Sequence, residues 1–210
     1  CLVGSEMCIR DREVRFDAIR GNISEIKTLA SLCGTQEKNS GNMAVSDTMD
    51  VEKITDKSDH CGKITGIDGS GRGVDADNAD TVTEENLAQH ISNAKMLSKK
   101  LQTIVAITGA IDLVTDGSSC YVIRNGNPQM GHVTGAGCQL SGILTAFLAA
   151  NPENKLQAAA AAVCMMGYAG ELAAEKSGQS GSGTYRVSLM DAVSCMDGDI
   201  LERGARYEIR

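Results

Sequence analysis

Two glycines separated by one residue and followed at once by a cysteine form the part of this chain best suited to chemistry, Thr134-Gly135-Ala136-Gly137-Cys138. Glycine lets a backbone turn tightly and approach a ligand closely. The apolar run behind it, Gln139 to Ala150, reads as a helix, so free amides and the positive end of the helix dipole point at the turn. Such a cradle, built on Gly135, Ala136 and Gly137, suits a phosphate or a developing negative charge. The Cys138 thiol, in the first helical turn, is a candidate base or nucleophile. Taken alone, the Gly-x-Gly turn is equally consistent with a tight structural turn, and a lone cysteine is more often a small buried residue.

The elements that must position this turn alternate between strand and helix patterns. Phe16 to Ile19 reads as a short strand, and Ser24 to Leu32 as a helix with Ile26 and Leu29 on one face. Thr81-x-x-Glu84 matches a capping box. Leu87, Ile91, Ala94, Leu97 and Leu101 then recur at helical spacing. Thr103 to Ile107 is a continuous apolar run, as expected of a strand buried on both faces. Ile111 to Thr115 and Cys120 to Arg124 flank Asp116-Gly117, a hairpin signal. Asn125-Gly126-Asn127-Pro128 is a further turn, and the Gly-x-Gly segment follows as a strand-to-helix connection. An Ala-rich helix runs from Pro152 to about Ser177, and a Gly/Ser loop at 178–183 leads to a last strand or helix near Arg186 to Val193. The sum is an α/β fold with a mainly parallel sheet.

Two stretches stand apart. Residues 1–12 carry neither periodicity and read as translated adapter sequence, a non-native leader. Residues 34–70 are rich in Gly, Ser, Thr, Asp and Lys and read as a polar insert. The expected organisation is therefore a leader at 1–12 and one partial domain over 13–210.

Composition narrows the function classes. A formal charge of -7 over 210 residues argues against a general nucleic-acid binder, which needs a basic stripe. One nucleotide needs only a local anion site. Cysteines at 1, 8, 33, 61, 120, 138, 164 and 195 include no Cys-x-x-Cys pair, which argues against structural zinc. Scattered thiols of this kind point to a reducing, cytoplasmic setting. No segment approaches 18 uninterrupted apolar residues, so no membrane span is expected. His60, His90 and His132 show no ligand spacing.

The segments IRGNISEI (19–26), GRGVDA (71–76), TIVAITGAIDLVTDG (103–117), HVTGAGCQLSGILTAFLA (132–149) and GSGTYRVSLMDAV (181–193), in this order, resemble hydroxyethylthiazole kinases over about residues 14–210 apart from the insert. The resemblance implies the second half of a ribokinase-like three-layer fold, with the N-terminal, thiazole-contacting part missing. It implies ATP-dependent phosphorylation of the hydroxyl of hydroxyethyl-methylthiazole in thiamine salvage. By the same resemblance Arg20 and Thr108 contact ATP, Gly135 contacts substrate, and Cys138 stands where ribokinases carry an Asp base. Asn22 and Glu25 match the Asn-x-x-Glu pattern that places Mg²⁺ near the phosphates. Arginine suits planar phosphate contacts, and a carboxylate suits a hard cation. The resemblance further implies a homotrimer with shared active sites for the full-length protein. The alternatives are another vitamin-precursor kinase of the superfamily, for hydroxymethylpyrimidine or pyridoxal, or an inactive nucleotide-binding remnant. A chain lacking the thiazole-binding part is expected to be a poor or inactive kinase.

Overall fold

The structure, a computed structural model, describes residues 16–32 and 81–210. The readings of 1–12 as a leader and of 34–70 as an insert lie outside these residues. One sheet organises the described part, with strands β1 (Ala18–Gly21), β2 (Ile104–Ile107), β3 (Asp112–Thr115), β4 (Cys120–Ile123) and β5 (Tyr207–Ile209) adjacent in that order. β1 and β2 are parallel, with Gly21 opposite Ile107. The pairs β2–β3, β3–β4 and β4–β5 are antiparallel.

The sheet is thus mixed, and the expectation of a mainly parallel one does not hold among the described strands. The cause is loop length. Residues 108–111 join β2 to β3 and residues 116–119 join β3 to β4. Links this short can only fold back, because a parallel return needs a crossover of about a dozen residues or more. The second link is the expected hairpin. Asp116 Oδ1 accepts from the Ser118 and Ser119 N–H groups at 2.8 and 2.9 Å, and Gly117 takes a φ of +91°.

Helices cover both faces. α1 (Ile23–Leu32) and α2 (Leu87–Leu101) lie on one side, and α3 (Ala136–Ala150), α4 (Lys155–Ser177) and α5 (Ser182–Ser194) on the other. β2 and β4 are apolar throughout, yet the side chains of the strands alternate between the two layers, as a period of two requires. Val105, Ile107, Leu113 and Val122 meet α1 and α2, while Ile104, Ala106, Val114 and Ile123 meet α3, α4 and α5. This is the three-layer arrangement expected. α4 has the length and composition of a membrane-crossing helix, but 67% of its most apolar window is buried inside this fold.

Three local readings change. The Thr81/Glu84 capping box does not form. α2 starts only at Leu87, Asn86 Oδ1 accepts the Thr83 N–H at 2.8 Å, and Glu84 is drawn to Arg124 at 2.8 Å. The region near Arg186 to Val193 is helical, as α5. Beyond it lie α6 (Gly198–Gly204) and the edge strand β5, where no element was expected.

Candidate functional site

Arg20 is the third residue of β1, and Thr108 follows the last residue of β2. The parallel register puts them side by side at the carboxyl ends of adjacent strands, where open α/β sheets bind their ligands. Alternation decides which way Arg20 faces. Ala18 packs with the α3–α5 layer and Ile19 with the α1–α2 layer, so Arg20 shares the side of Ala18. There its Nη1 donates to Thr108 Oγ1 at 3.4 Å, and the Thr108 N–H donates to the Gly21 carbonyl at 2.9 Å.

The third partner arrives from 117 residues further along the chain. Gly135 caps α3 with a φ of +94°, a conformation that side chains disfavour. Ala136, Gly137 and Cys138 are the first three residues of that helix. A Cβ built on Gly137 would stand 3.1 and 3.2 Å from the Arg20 Nη2 and Nη1 atoms. The guanidinium therefore lies against the backbone of the first helical turn, and a side chain at 137 would crowd it. Arg20 Nε is buried and has no hydrogen-bond partner among the described residues. Leaving such a donor unmet costs about 1–3 kcal/mol, which an oxyanion at the cradle would offset. Cys138 is exposed at the rim of this turn.

The turn is not the expected strand-to-helix connection. A 3-10 helix, Pro128–His132, precedes it, and only Val133 is extended in between. Pro128 has no N–H to offer a ladder, and Asn127 Oδ1 accepts the Gln129 N–H at 3.0 Å, which starts a helical turn instead.

Asn22 and Glu25 sit one strand end away and cap α1 reciprocally. Asn22 Oδ1 accepts the Glu25 N–H, and Glu25 Oε2 accepts the Asn22 N–H, both at 2.8 Å. The capping box misread at Thr81 is realised here. Glu25 Oε1 lies outside this cap. One spare carboxylate oxygen fits a hard cation that keeps most of its waters and leans on phosphates. It does not fit a protein-built metal cage, and no cluster of three His, Cys, Asp or Glu side chains occurs among the described residues.

Two features of the site were not read from the sequence. Asp112, the first residue of β3, shares the face of Val114 and is therefore on the same side as Arg20. It is the one charged residue buried among those described, at 8% exposure, and its Oδ1 accepts the Gly109 N–H at 2.8 Å. Burial pushes its carboxyl up to about 7, against the opposing pull of the Gly109 hydrogen bond and the Arg20 charge. The sequence signal was slight: an acid at the head of an apolar strand. The second feature is a clamp at the end of β4. Asn125 Nδ2 donates to Glu171 Oε1 at 3.1 Å and to the Gly204 carbonyl at 2.9 Å, and its Oδ1 accepts the Arg206 N–H at 2.7 Å. Arg206 in turn grips both oxygens of Glu171. This ties the segment leading to the cradle onto α4 and β5.

The fold has a counterpart in the solved structure of a hydroxyethylthiazole kinase protein from Pyrococcus horikoshii OT3, at a TM-score of 0.65 and 22% identity, covering 98% of this chain and 58% of that one. That likeness defines the chain as an α/β protein of the same fold. Residues 35–199 match the Hydroxyethylthiazole kinase family. The Hydroxyethylthiazole kinase of Clostridium acetobutylicum is 41% identical over 197 residues, which is 93% of this chain and 59% of that protein. The Hydroxyethylthiazole kinase of Desulfovibrio desulfuricans is 33% identical over 206 residues, again 59% of its length. The chain belongs to the hydroxyethylthiazole kinase family, and it spans about 59% of the length of these curated relatives.

Proposed function

We propose that this chain supplies the nucleotide side of a kinase that moves the γ-phosphoryl group of ATP onto the hydroxyl of hydroxyethyl-methylthiazole. The observation that carries the reading is the convergence of Arg20, Thr108 and Gly137 around one buried, unpartnered guanidinium donor. Family membership and the relatives' names supply the choice of acceptor.

In this reading Arg20 and Thr108 hold the ATP phosphates, and the Gly135, Ala136 and Gly137 backbone cradles the transferring group. Phosphoryl transfer asks mainly for positioning and for stabilised charge, which these groups offer. The acceptor alcohol lies against Gly135, beside Cys138. Its oxygen forms a bond to the γ-phosphorus as the bond from that phosphorus to the β,γ-bridging oxygen breaks, and ADP leaves. The alcohol proton passes late, as the bond to phosphorus forms, to a weak base at Cys138 or to water. Glu25, with Asn22 beside it, would hold Mg²⁺, which supplies neutralising charge between the phosphates. The complete protein works as a cytoplasmic homotrimer on this reading, and the exposed Val187 and Met190 of α5 are consistent with a covered face.

Steady-state kinetics on the protein carrying its complete open reading frame test the assignment. Arg20→Ala should raise the KM for ATP by on the order of ten- to a hundredfold, since a charged hydrogen-bonded contact is lost. Cys138→Ala should lower turnover roughly tenfold or more while leaving ATP affinity nearly unchanged. Cys138→Asp should stay active. Wild-type turnover and ATP dependence in both alanine variants would show the site assignment to be wrong.

A further inference from the structure

Asp112 has no task in the reaction just described, yet the fold buries it on the face that carries the Arg20 guanidinium. A buried carboxylate is costly, and its hydrogen bond from the Gly109 N–H is one that a neutral asparagine could equally accept. Turn closure therefore accounts for the shape of the side chain and not for its charge. The charged and titratable groups whose fields meet it are Arg20 from β1 and the Cys164 thiol from α4, and Ile123 faces it from β4. Arg20 is the sole cation of that set. We propose that Asp112 is the built-in counter-charge of Arg20, a positioning residue that sets how strongly the cradle holds the nucleotide phosphates. The proposal rests on the nucleotide reading given above.

The consequence follows from reciprocity. Whatever Arg20 does for the carboxylate, an anion bound on Arg20 undoes, and the carboxylate weakens the anion by the same factor. An ionised Asp112 competes through space with the phosphates, and a protonated one does not. Its titration near pH 7 places the change within the working range of most enzymes. Nucleotide binding should therefore draw a proton onto Asp112, and affinity should weaken as pH rises through neutrality.

The experiment compares wild type with Asp112→Asn in the complete protein, measuring ATP affinity and turnover from pH 6 to pH 8.5. Taking the ratio of the two proteins at each pH cancels the titration of ATP itself. At the acid end they should match. At the alkaline end Asp112→Asn should bind ATP roughly three- to tenfold more tightly. A role in the turn alone predicts superimposable curves, because asparagine keeps the acceptor for Gly109. Superimposed curves, or a uniform loss of affinity at every pH, overturn the proposal while leaving the nucleotide site standing. Failure of folded wild type to bind ATP overturns both. A second measurement needs no variant to fold: the Asp112 carboxyl, followed by carbon NMR in wild type, should titrate at higher pH with ATP bound, and an unmoved midpoint overturns the proposal.

Discussion

At the scale of single residues, the site rests on contacts that sequence motifs name but cannot join. Arg20, Thr108 and Gly135 to Cys138 are visible as motif residues, and what makes them a site is strand register plus alternation, which bring residue 20 to 108 and to 137. Asp112 was illegible for the same reason. An acid at the head of a strand reads as exposed until the hairpin and the face of Val114 are known. Its burial has a consequence for stability that is separate from nucleotide binding. A carboxyl held at about 7 in the fold, against an ordinary value of 3.8, binds its proton more tightly folded than unfolded. Stability from this group is therefore fully present below pH 3.8 and is lost as pH rises to about 7. Asp112→Asn should melt higher than wild type at pH 8, by up to a few kcal/mol of stability, and the gap should close toward pH 4. Thermal melts across that range check it, and a gap that does not change with pH would contradict the burial.

At the scale of elements, apolar runs and helical spacing recovered β1 to β4 and the helices α1 to α4 within a few residues, and left α5 open between strand and helix. β5 and α6 escaped because Tyr207 to Ile209 is short, half exposed and held mainly by its ladder to β4, with no apolar pattern to show. Strand direction was misread because α/β alternation suggests crossovers, while loops of 108–111 and 116–119 forbid them. The long helix α4 acts as the platform for the approach to the cradle. A Cβ on its Gly167 would meet the Asn125 carbonyl oxygen at 2.7 Å and the carbonyl carbon at 2.8 Å, and Gly170 leaves space for Met130. Backbone cannot swing aside as a side-chain tip can. Gly167→Ala should therefore cost about 1–3 kcal/mol even though alanine favours a helix by about 1 kcal/mol. Denaturant melts measure the loss, and a neutral or stabilising result would mean that the 125–130 segment is not seated on α4 as described.

At the scale of the whole molecule, the chain spans about 59% of the length of these relatives, and on the proposed reading it contributes the phosphate side of a site. Holding an alcohol near attack geometry supplies several kcal/mol of a barrier, roughly 7–11 in well-oriented reactions. The 210-residue chain by itself should therefore show little phosphorylation of the thiazole alcohol, while the complete open reading frame should show it and should sediment as a trimer. Coupled assays and sedimentation velocity on the two proteins decide this, and equal activity would mean that the described part holds the acceptor unaided. The contact between Arg20 and Gly137 also bears on how such proteins diverge. Because a methyl at 137 would stand 3.1 Å from the tip of the Arg20 side chain, the guanidinium would have to give by a few tenths of an ångström, and the two positions are coupled. Lineages that lose the glycine should more often also shorten or replace the arginine, so that residues 20 and 137, far apart in the gene, tend to change together.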